Sequence, residues 1–318
     1  MTYEFAPMEG ITGFVFRNAH RRYFPSMDRY YTPFLTPKQG RGFTSREKRD
    51  VAPEHNRGVP VIPQVLTNSP EGFLKAAHWL ESLGYGEINL NLGCPSKTVV
   101  TKRKGAGFLA FPEELDAFLE RIFAGTKLEI SVKTRIGVED PEEFGRLLEI
   151  FNGYPIKELI VHPRLQADYY RNSPDLEAFG RAVRESETPL CYNGDLFSQR
   201  RIDEVCARFP EVDRLMLGRG LLVDPGLVEK RKTGKRTDPK ALWAFHETLL
   251  EGYSRELSGE KDVLFKMKEL VSYLIRNFDG TKEVQKRIRR AQNLTEYRSC
   301  VRQLMENCSL AQEPDFSF

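Results

Sequence analysis

The 318-residue sequence has no long apolar run, no paired cysteines and no marked excess of one charge, and each absence removes a class of protein. No stretch could span a bilayer, and no basic-then-apolar leader opens the chain. A cytoplasmic protein without membrane contact is therefore expected. Five cysteines (Cys94, Cys191, Cys206, Cys300 and Cys308) show no CxxC pair and no regular spacing. That argues against a disulfide framework and a structural zinc site, and no metal is expected. The 48 Lys and Arg against 45 Asp and Glu leave a net charge of +3. Such a balance neither demands nor excludes a nucleic-acid partner, so local clusters must carry that argument. There is no low-complexity tract and no repeat beyond one strand–helix unit.

What the chain does have is alternation. Short apolar strands are expected at 4–8, 29–34, 61–65, 87–92, 129–134, 158–162, 190–193 and 214–217. Helix starts lie between them. Ser69-Pro70 pairs a capping serine with proline at the first helical position. Asp140-Pro141-Glu142-Glu143, Ser173-Pro174-Asp175 and Phe111-Pro112 look similar, and Phe144, Leu147, Leu148 and Phe151 share one helical face. Eight such units imply an α/β fold, a (β/α)8 TIM barrel, over 1–237. The charged run 230–238 reads as a linker. Strand signals then stop, and helices are expected at 240–257, 261–278, 281–292 and 294–307, with a frayed final ten residues. Residues 238–318 thus read as a C-terminal all-α helical domain.

A barrel of this kind works at the carboxyl ends of its strands. There the sequence places Pro7, Met8 and Glu9, then Gln64, then Asn91 with Cys94, then Lys133 and Arg135, then His162, then Asn193-Gly194-Asp195, and last Gly218-Arg219-Gly220. Cys94, on a Gly-Cys-Pro turn followed by a basic loop and Gly105-Ala106-Gly107, is a candidate acid or nucleophile. A buried loop cysteine would be the bland alternative. Glycines on the last two loops suit a phosphate, because backbone N–H groups can approach it. Lys133 would hold negative charge on a cofactor ring, and Gln64 could hydrogen-bond it. Flavin mononucleotide (FMN) meets these needs; a phosphosugar would satisfy the phosphate loops alone.

Ala6-Pro7-Met8-Glu9-Gly10-Ile11-Thr12, Asn91-Leu92-Gly93-Cys94-Pro95, Lys133-Thr134-Arg135, His162-Pro163-Arg164, Asn193-Gly194-Asp195 and Gly218-Arg219-Gly220 together resemble the tRNA-dihydrouridine synthases. The helical tail, with Lys266-Met267-Lys268 and Arg287–Arg290, resembles that family's RNA-binding domain. The resemblance implies FMN as cofactor, NADPH as reductant, and a uridine of tRNA as substrate of a flavoprotein oxidoreductase. It places Pro7, Met8, Glu9, Gln64, Lys133, His162, Asn193, Gly194, Asp195, Gly218 and Arg219 around FMN, Asn91 and Arg135 against the flipped uracil, and Cys94 as general acid. Hydride would go to C6 of the base and a proton from Cys94 to C5. Two positions depart from the family's pattern: Gly13, where Asp is usual, and Pro163-Arg164-Leu165, where Gly-Arg-Thr is more frequent.

A base inside folded RNA must be turned out of its stack to reach a barrel mouth. Basic stretches at 38–41 with 46–49, at Lys97 with 102–104, and at 282–290 could hold the surrounding phosphates. The protein is expected to act as a monomer. An FMN barrel enzyme for a free pyrimidine or other small molecule, and an RNA-binding protein with a vestigial barrel, are the competing readings. The helical tail and basic loops oppose the first; intact Cys94, Lys133 and Asn91 oppose the second.

Overall fold

The computed structural model describes residues 1–318 except Gln39, Arg41, Glu313, Asp315, Ser317 and Phe318. Two residues of the first basic stretch and part of the expected frayed end therefore lie outside the described residues. The strands are β1 (Thr2–Phe5), β2 (Arg29–Tyr31), β3 (Val61–Ile62), β4 (Gln64–Val65), β5 (Glu87–Leu92), β6 (Glu129–Arg135), β7 (Leu159–His162), β8 (Leu190–Tyr192) and β9 (Arg214–Leu217). All pair in parallel, in the order β3-β2-β1-β9-β8-β7-β6-β5-β4. The two ends of that order, β3 and β4, are halves of one expected strand, parted at Pro63. Proline lacks an N–H for the ladder, so the pairing switches partners there. The Pro63 carbonyl still accepts from Asn89 N at 2.8 Å, and the sheet closes into an eight-staved barrel.

The period of two along each strand separates two interiors. Tyr3, Phe5, Tyr30, Ile88, Leu90, Leu92, Ile130, Val132, Leu159, Val161, Tyr192, Leu215 and Leu217 join the core under the helices. Alternate positions face the lumen, where Ala6, Tyr31, Ile62, Ile160, Cys191 and Met216 form a separate small cluster. Below it, Glu4 and Glu158 are fully buried. Arg29 Nη1 lies 3.7 Å from each and 3.8 Å from Glu87, while Arg214 and Lys157 pair with Glu158 at 3.0 Å and Glu87 at 2.8 Å. Three carboxyl groups thus meet three basic side chains at the closed end. Glu4, Glu158 and Cys191 stand close enough to share a cation, but Arg29 and Arg214 already face those carboxyl groups, and burial beside Glu158 pushes the Glu4 carboxyl well up from its ordinary value.

The helices are α1 (Phe14–Tyr23), α2 (Ser45–Val51), α3 (Pro70–Ser82), α4 (Lys97–Val100), α5 (Pro112–Gly125), α6 (Glu143–Asn152), α7 (Leu176–Glu185), α8 (Gln199–Arg208), α9 (Arg219–Val223), α10 (Leu227–Thr233), α11 (Pro239–Glu256), α12 (Glu260–Leu274), α13 (Lys282–Arg290) and α14 (Leu294–Asn307). Ser69 caps α3 as expected, accepting from Gly72 N at 3.1 Å. The cap of α7 is Asp175 rather than Ser173; its carboxylate accepts from Glu177 and Ala178 N, both at 2.9 Å. The expected 230–238 linker is shorter than its composition suggests. Residues 230–233 belong to α10, which ends on Gly234 in the left-handed region, φ 72°. Lys232 pairs with Asp28 and Arg231 with Asp203, so these charges are a docked helical face.

The tail helices pack directly on the barrel. Phe245 of α11 meets Phe16 of α1 and Phe24 at its C-cap edge-on, each at 5.6 Å. The Tyr253 hydroxyl donates to the Ile11 carbonyl at 3.4 Å. Among the described residues no helix is long and apolar enough to cross a membrane.

Candidate active site

At the carboxyl ends of the strands lies a cavity of about 770 Å³, lined by Pro7, Met8, Glu9, Gln64, Asn91, Cys94, Lys133, His162 and Arg219, with Tyr169, Tyr170, Arg171 and Tyr273 among its other walls. A chamber of about 100 Å³ adjoins it and shares Pro7, Met8, Lys133, His162, Tyr170 and Arg219. Its far end is made by Asn193, Gly194, Asp195, Phe197 and Gly218. Residues expected from seven of the eight strand ends thus line two adjoining spaces. Arg135 and Gly220 are the exceptions and line neither.

Cys94 is held by a turn whose parts all come from its neighbours. The Asn91 side chain reaches forward, and its Oδ1 accepts from Gly93 N and Cys94 N, each at 3.0 Å. The Cys94 carbonyl accepts from Ala106 N at 3.0 Å. Gly105, at φ +56°, lies against the turn so closely that a Cβ would stand 2.7 Å from the Cys94 carbonyl oxygen and 3.1 Å from its Cβ. The Gly-Ala-Gly segment is therefore the seat of the thiol. Burial pushes that thiol up from its ordinary value, against an opposing hydrogen bond from the Ser96 backbone and the charges of Arg135 and Lys133. It is a protonated thiol at neutral pH, a proton donor rather than a ready thiolate.

Below Cys94 runs a ladder of amides with a fixed sense. Because Asn91 Oδ1 accepts twice, its Nδ2 must be the donor to Gln64 Oε1, 2.7 Å away. Gln64 Nε2 then donates to Asn89 Oδ1 at 2.8 Å, and Asn89 Nδ2 to Ser131 Oγ at 3.0 Å. All four residues are buried. The ladder continues the lumen alternation of β4, β5 and β6, and it leaves one N–H on Asn91 and one on Gln64 for a ligand.

Positive charge dominates the other wall. Lys133 makes no hydrogen bond or ion pair among the described residues, and burial, with Arg135 nearby, lowers its pKa to about 8. Asp195, at φ 45°, binds Arg164 and, at 2.9 Å, Arg219. Arg164 also donates to His162 Nε2 at 2.8 Å. Arginine has no acceptor, so that nitrogen accepts and the ring proton sits on Nδ1. Burial first, and then the charges of Arg135, Lys133, Arg164 and Arg219, keep His162 neutral. Lys133, Arg164 and Arg219 are thus three basic groups to the one carboxylate of Asp195, an excess that an anionic ligand would fill.

Arg135 donates from Nε to the Gly93 carbonyl at 3.0 Å, from Nη1 to Leu165 at 2.6 Å and from Nη2 to Tyr169 at 2.7 Å. It ties the Cys94 turn to the loop after β7 instead of presenting its fork to the cavity. That loop supplies walls the sequence reading did not single out. The Tyr170 ring lies 4.8 Å from the Arg219 guanidinium and 5.4 Å from that of Arg135. The Tyr169-Tyr170-Arg171 run beside His162-Pro163-Arg164 was the available signal, aromatic residues interleaved with basic ones. Tyr273 of α12 had none, since helical periodicity does not say what the helix faces.

The departures in the first and sixth loops are absorbed locally. Gly13 offers α1 no side-chain cap; Asp50 of α2 accepts from Phe14 N at 2.8 Å instead. A Cβ on residue 13 would stand 3.1 Å from that carboxylate. Buried Arg17 keeps Asp50 in place, donating to its carbonyl at 2.6 Å. Pro163 has no N–H, but its carbonyl accepts from Asp175 N at 2.6 Å, and His162 and Arg164 keep their places on either side.

Comparison with known proteins agrees with this geometry. The model of the Dihydrouridine synthase (Dus) family matches residues 4–313. The chain belongs to that family. It is 29% identical over 238 residues to the tRNA-dihydrouridine(16) synthase of Shigella flexneri, spanning 73% of this chain and 74% of that one. It is 26% identical over 304 residues to the probable tRNA-dihydrouridine synthase 2 of Bacillus subtilis (strain 168), spanning 92% and 91%. The old yellow enzyme from Trypanosoma cruzi superposes with a TM-score of 0.52 at 10% identity, covering 80% of this chain and 94% of that one. That likeness speaks for the barrel fold of this family member.

Proposed function

We propose that this family member reduces the C5=C6 bond of a uridine in tRNA, using FMN as cofactor and NADPH as reductant. The single observation that carries the reading is that a protonated Cys94 thiol and the amine of Lys133, which has no ion-pair partner among the described residues, line one cavity.

The residues fit FMN. Lys133 is a cation without a counter-charge among the described residues, where a ring that gains negative charge on reduction would lie. The adjoining chamber offers Arg219 and the Asn193–Asp195 loop to a phosphate. Gly194 belongs there because a Cβ would stand 2.8 Å from the Tyr192 hydroxyl. Bound FMN would supply the hydride delivered to C6. Cys94 Sγ holds the proton given to C5, and its raised pKa keeps that proton in place until negative charge develops on the base. Asn91 sets the turn and keeps one N–H for the uracil. Gln64 keeps one for the cofactor ring. Arg135 is assigned to holding the Cys94 turn and the 165–172 loop, because three of its five N–H donors go to carbonyls there and it lines neither space.

RNA would be held by the basic stretches near the mouth and on the tail. In α13, Lys286 pairs with Glu283 and Arg287 with Gln303, whereas Arg289 and Arg290 are exposed. The helical region from 238 onward is read as the tRNA-binding unit, and the chain as a cytoplasmic monomer.

The test uses the purified protein, FMN, NADPH and tRNA lacking dihydrouridine. The product is a gain of about two daltons at one uridine (two hydrogens), with Cys94→Ala retaining flavin and tRNA but losing most product. Turnover on free uridine or uracil equal to that on tRNA would refute the assignment, as would full activity of Cys94→Ala.

A further inference from the structure

The last ten residues were expected to fray, and among the described ones 309–311 are tied down. Asp279 N donates to the Ser309 carbonyl and Ala311 N to the Asn277 carbonyl, both at 2.9 Å. Phe278 and Leu310 form an antiparallel bridge between them. Five residues further on, the Phe316 ring stacks on that of Phe197, with centroids 5.0 Å apart and planes 10° from parallel.

Phe197 is not a neutral anchor point. It lines the small chamber beside Asn193, Gly194, Asp195 and Arg219. Its backbone N–H donates to the Asp195 carbonyl at 3.0 Å. Its ring lies 5.1 Å from the Arg219 guanidinium, which itself pairs with Asp195. A stack on Phe197 therefore bears on the loop and the arginine at the phosphate end of the site. Asp195, a non-glycine residue at φ 45°, is held away from its relaxed conformation by those neighbours.

We propose that the tail acts as a strap, pinned at 309–311 along 277–279 and latched by Phe316 on Phe197, that holds the β8 loop closed and slows release of a phosphate-terminated cofactor. This rests on the reading of the site as an FMN site. The tail would thereby retain the cofactor as well as meet RNA. The latch acts on release rather than on chemistry, since Phe316 is not among the walls of either space.

The experiment loads the full chain with FMN and follows recovery of free-flavin fluorescence after dilution. Phe316→Ala, and a chain ending at Ala311, should each release FMN about two- to tenfold faster, the effect expected of losing one aromatic stack. Phe316→Tyr keeps the stack and should release FMN like the parent. If the Ala variant and the shortened chain both release flavin at the parental rate, the strap is refuted while the FMN site stands. A parent chain that binds no FMN at all would overturn the site and the strap together.

Discussion

Adding one methyl group at Gly105 should disable the enzyme without emptying it. The residue sits at φ +56°, where an alanine costs roughly 1–2 kcal/mol more than glycine. Its new Cβ would also stand 2.7 Å from the Cys94 carbonyl oxygen and 2.9 Å from Val99 Cγ1. The gap is roughly half an ångström or more short of ordinary contact, so the turn carrying Cys94 has to move. A displacement approaching 1 Å at a reacting group can cost about a hundredfold in rate. Gly105→Ala should therefore lower dihydrouridine formation by up to about that factor and stability by about 1–2 kcal/mol or more. FMN content and flavin reduction by NADPH should stay as in the parent, because Lys133, Arg219 and the Asn193–Asp195 loop are untouched. Gly86→Ala, with nothing within 4 Å of its added Cβ, is the control and should behave as the parent. The assay is single-turnover product formation by mass spectrometry beside thermal unfolding. Undiminished turnover in Gly105→Ala would show that the seat of Cys94 does not govern the chemistry.

Lys133 makes the site pH-dependent on its alkaline side. Its amine loses its proton near pH 8 in the free protein, and a bound anion would raise that pKa, so FMN affinity should fall above about pH 8, by up to about tenfold per pH unit. Titration calorimetry in buffers of different ionisation enthalpy should show proton uptake there. Affinity that is flat through this range would remove Lys133 from cofactor binding, and Lys133→Met should abolish the pH dependence while weakening retention. Arg135→Met should destabilise the chain by about 2–4 kcal/mol, since three carbonyls lose a charged donor; Arg135→Lys should recover little, because one ammonium cannot span them. An unaltered melting temperature in Arg135→Met would contradict this role. tRNA affinity should fall steeply with salt, log K dropping by about 0.9 per phosphate contact for each unit of log salt. A flat salt response would separate the basic stretches from RNA binding.

The alternation of strands with helices was legible in the sequence, and so were the strand-end residues, because a period of two and a period of 3.6 are local properties of the chain. The strand bounds of 87–92 and 214–217 were read as they stand in the fold. Loop chemistry was legible only where special residues announced it, as at Gly-Cys-Pro and Gly-Ala-Gly. What no local pattern could show is which partner a side chain chooses. Arg135 looked like a substrate contact, and three of its five donors go to carbonyls of two other loops. Asp50 caps a helix 36 residues away. The charges of 230–233 suggested a linker until Asp28 and Asp203 were brought beside them. Tyr170, Tyr273 and Phe316 come to the site from the β7 loop, the third-last helix and the final segment. Their placement depends on how the barrel closes and how the tail docks on it. Residue type and spacing determined the kind of chemistry available; closure of the barrel decided which groups were left free to perform it, because a donor bound to a carbonyl is no longer available to a ligand.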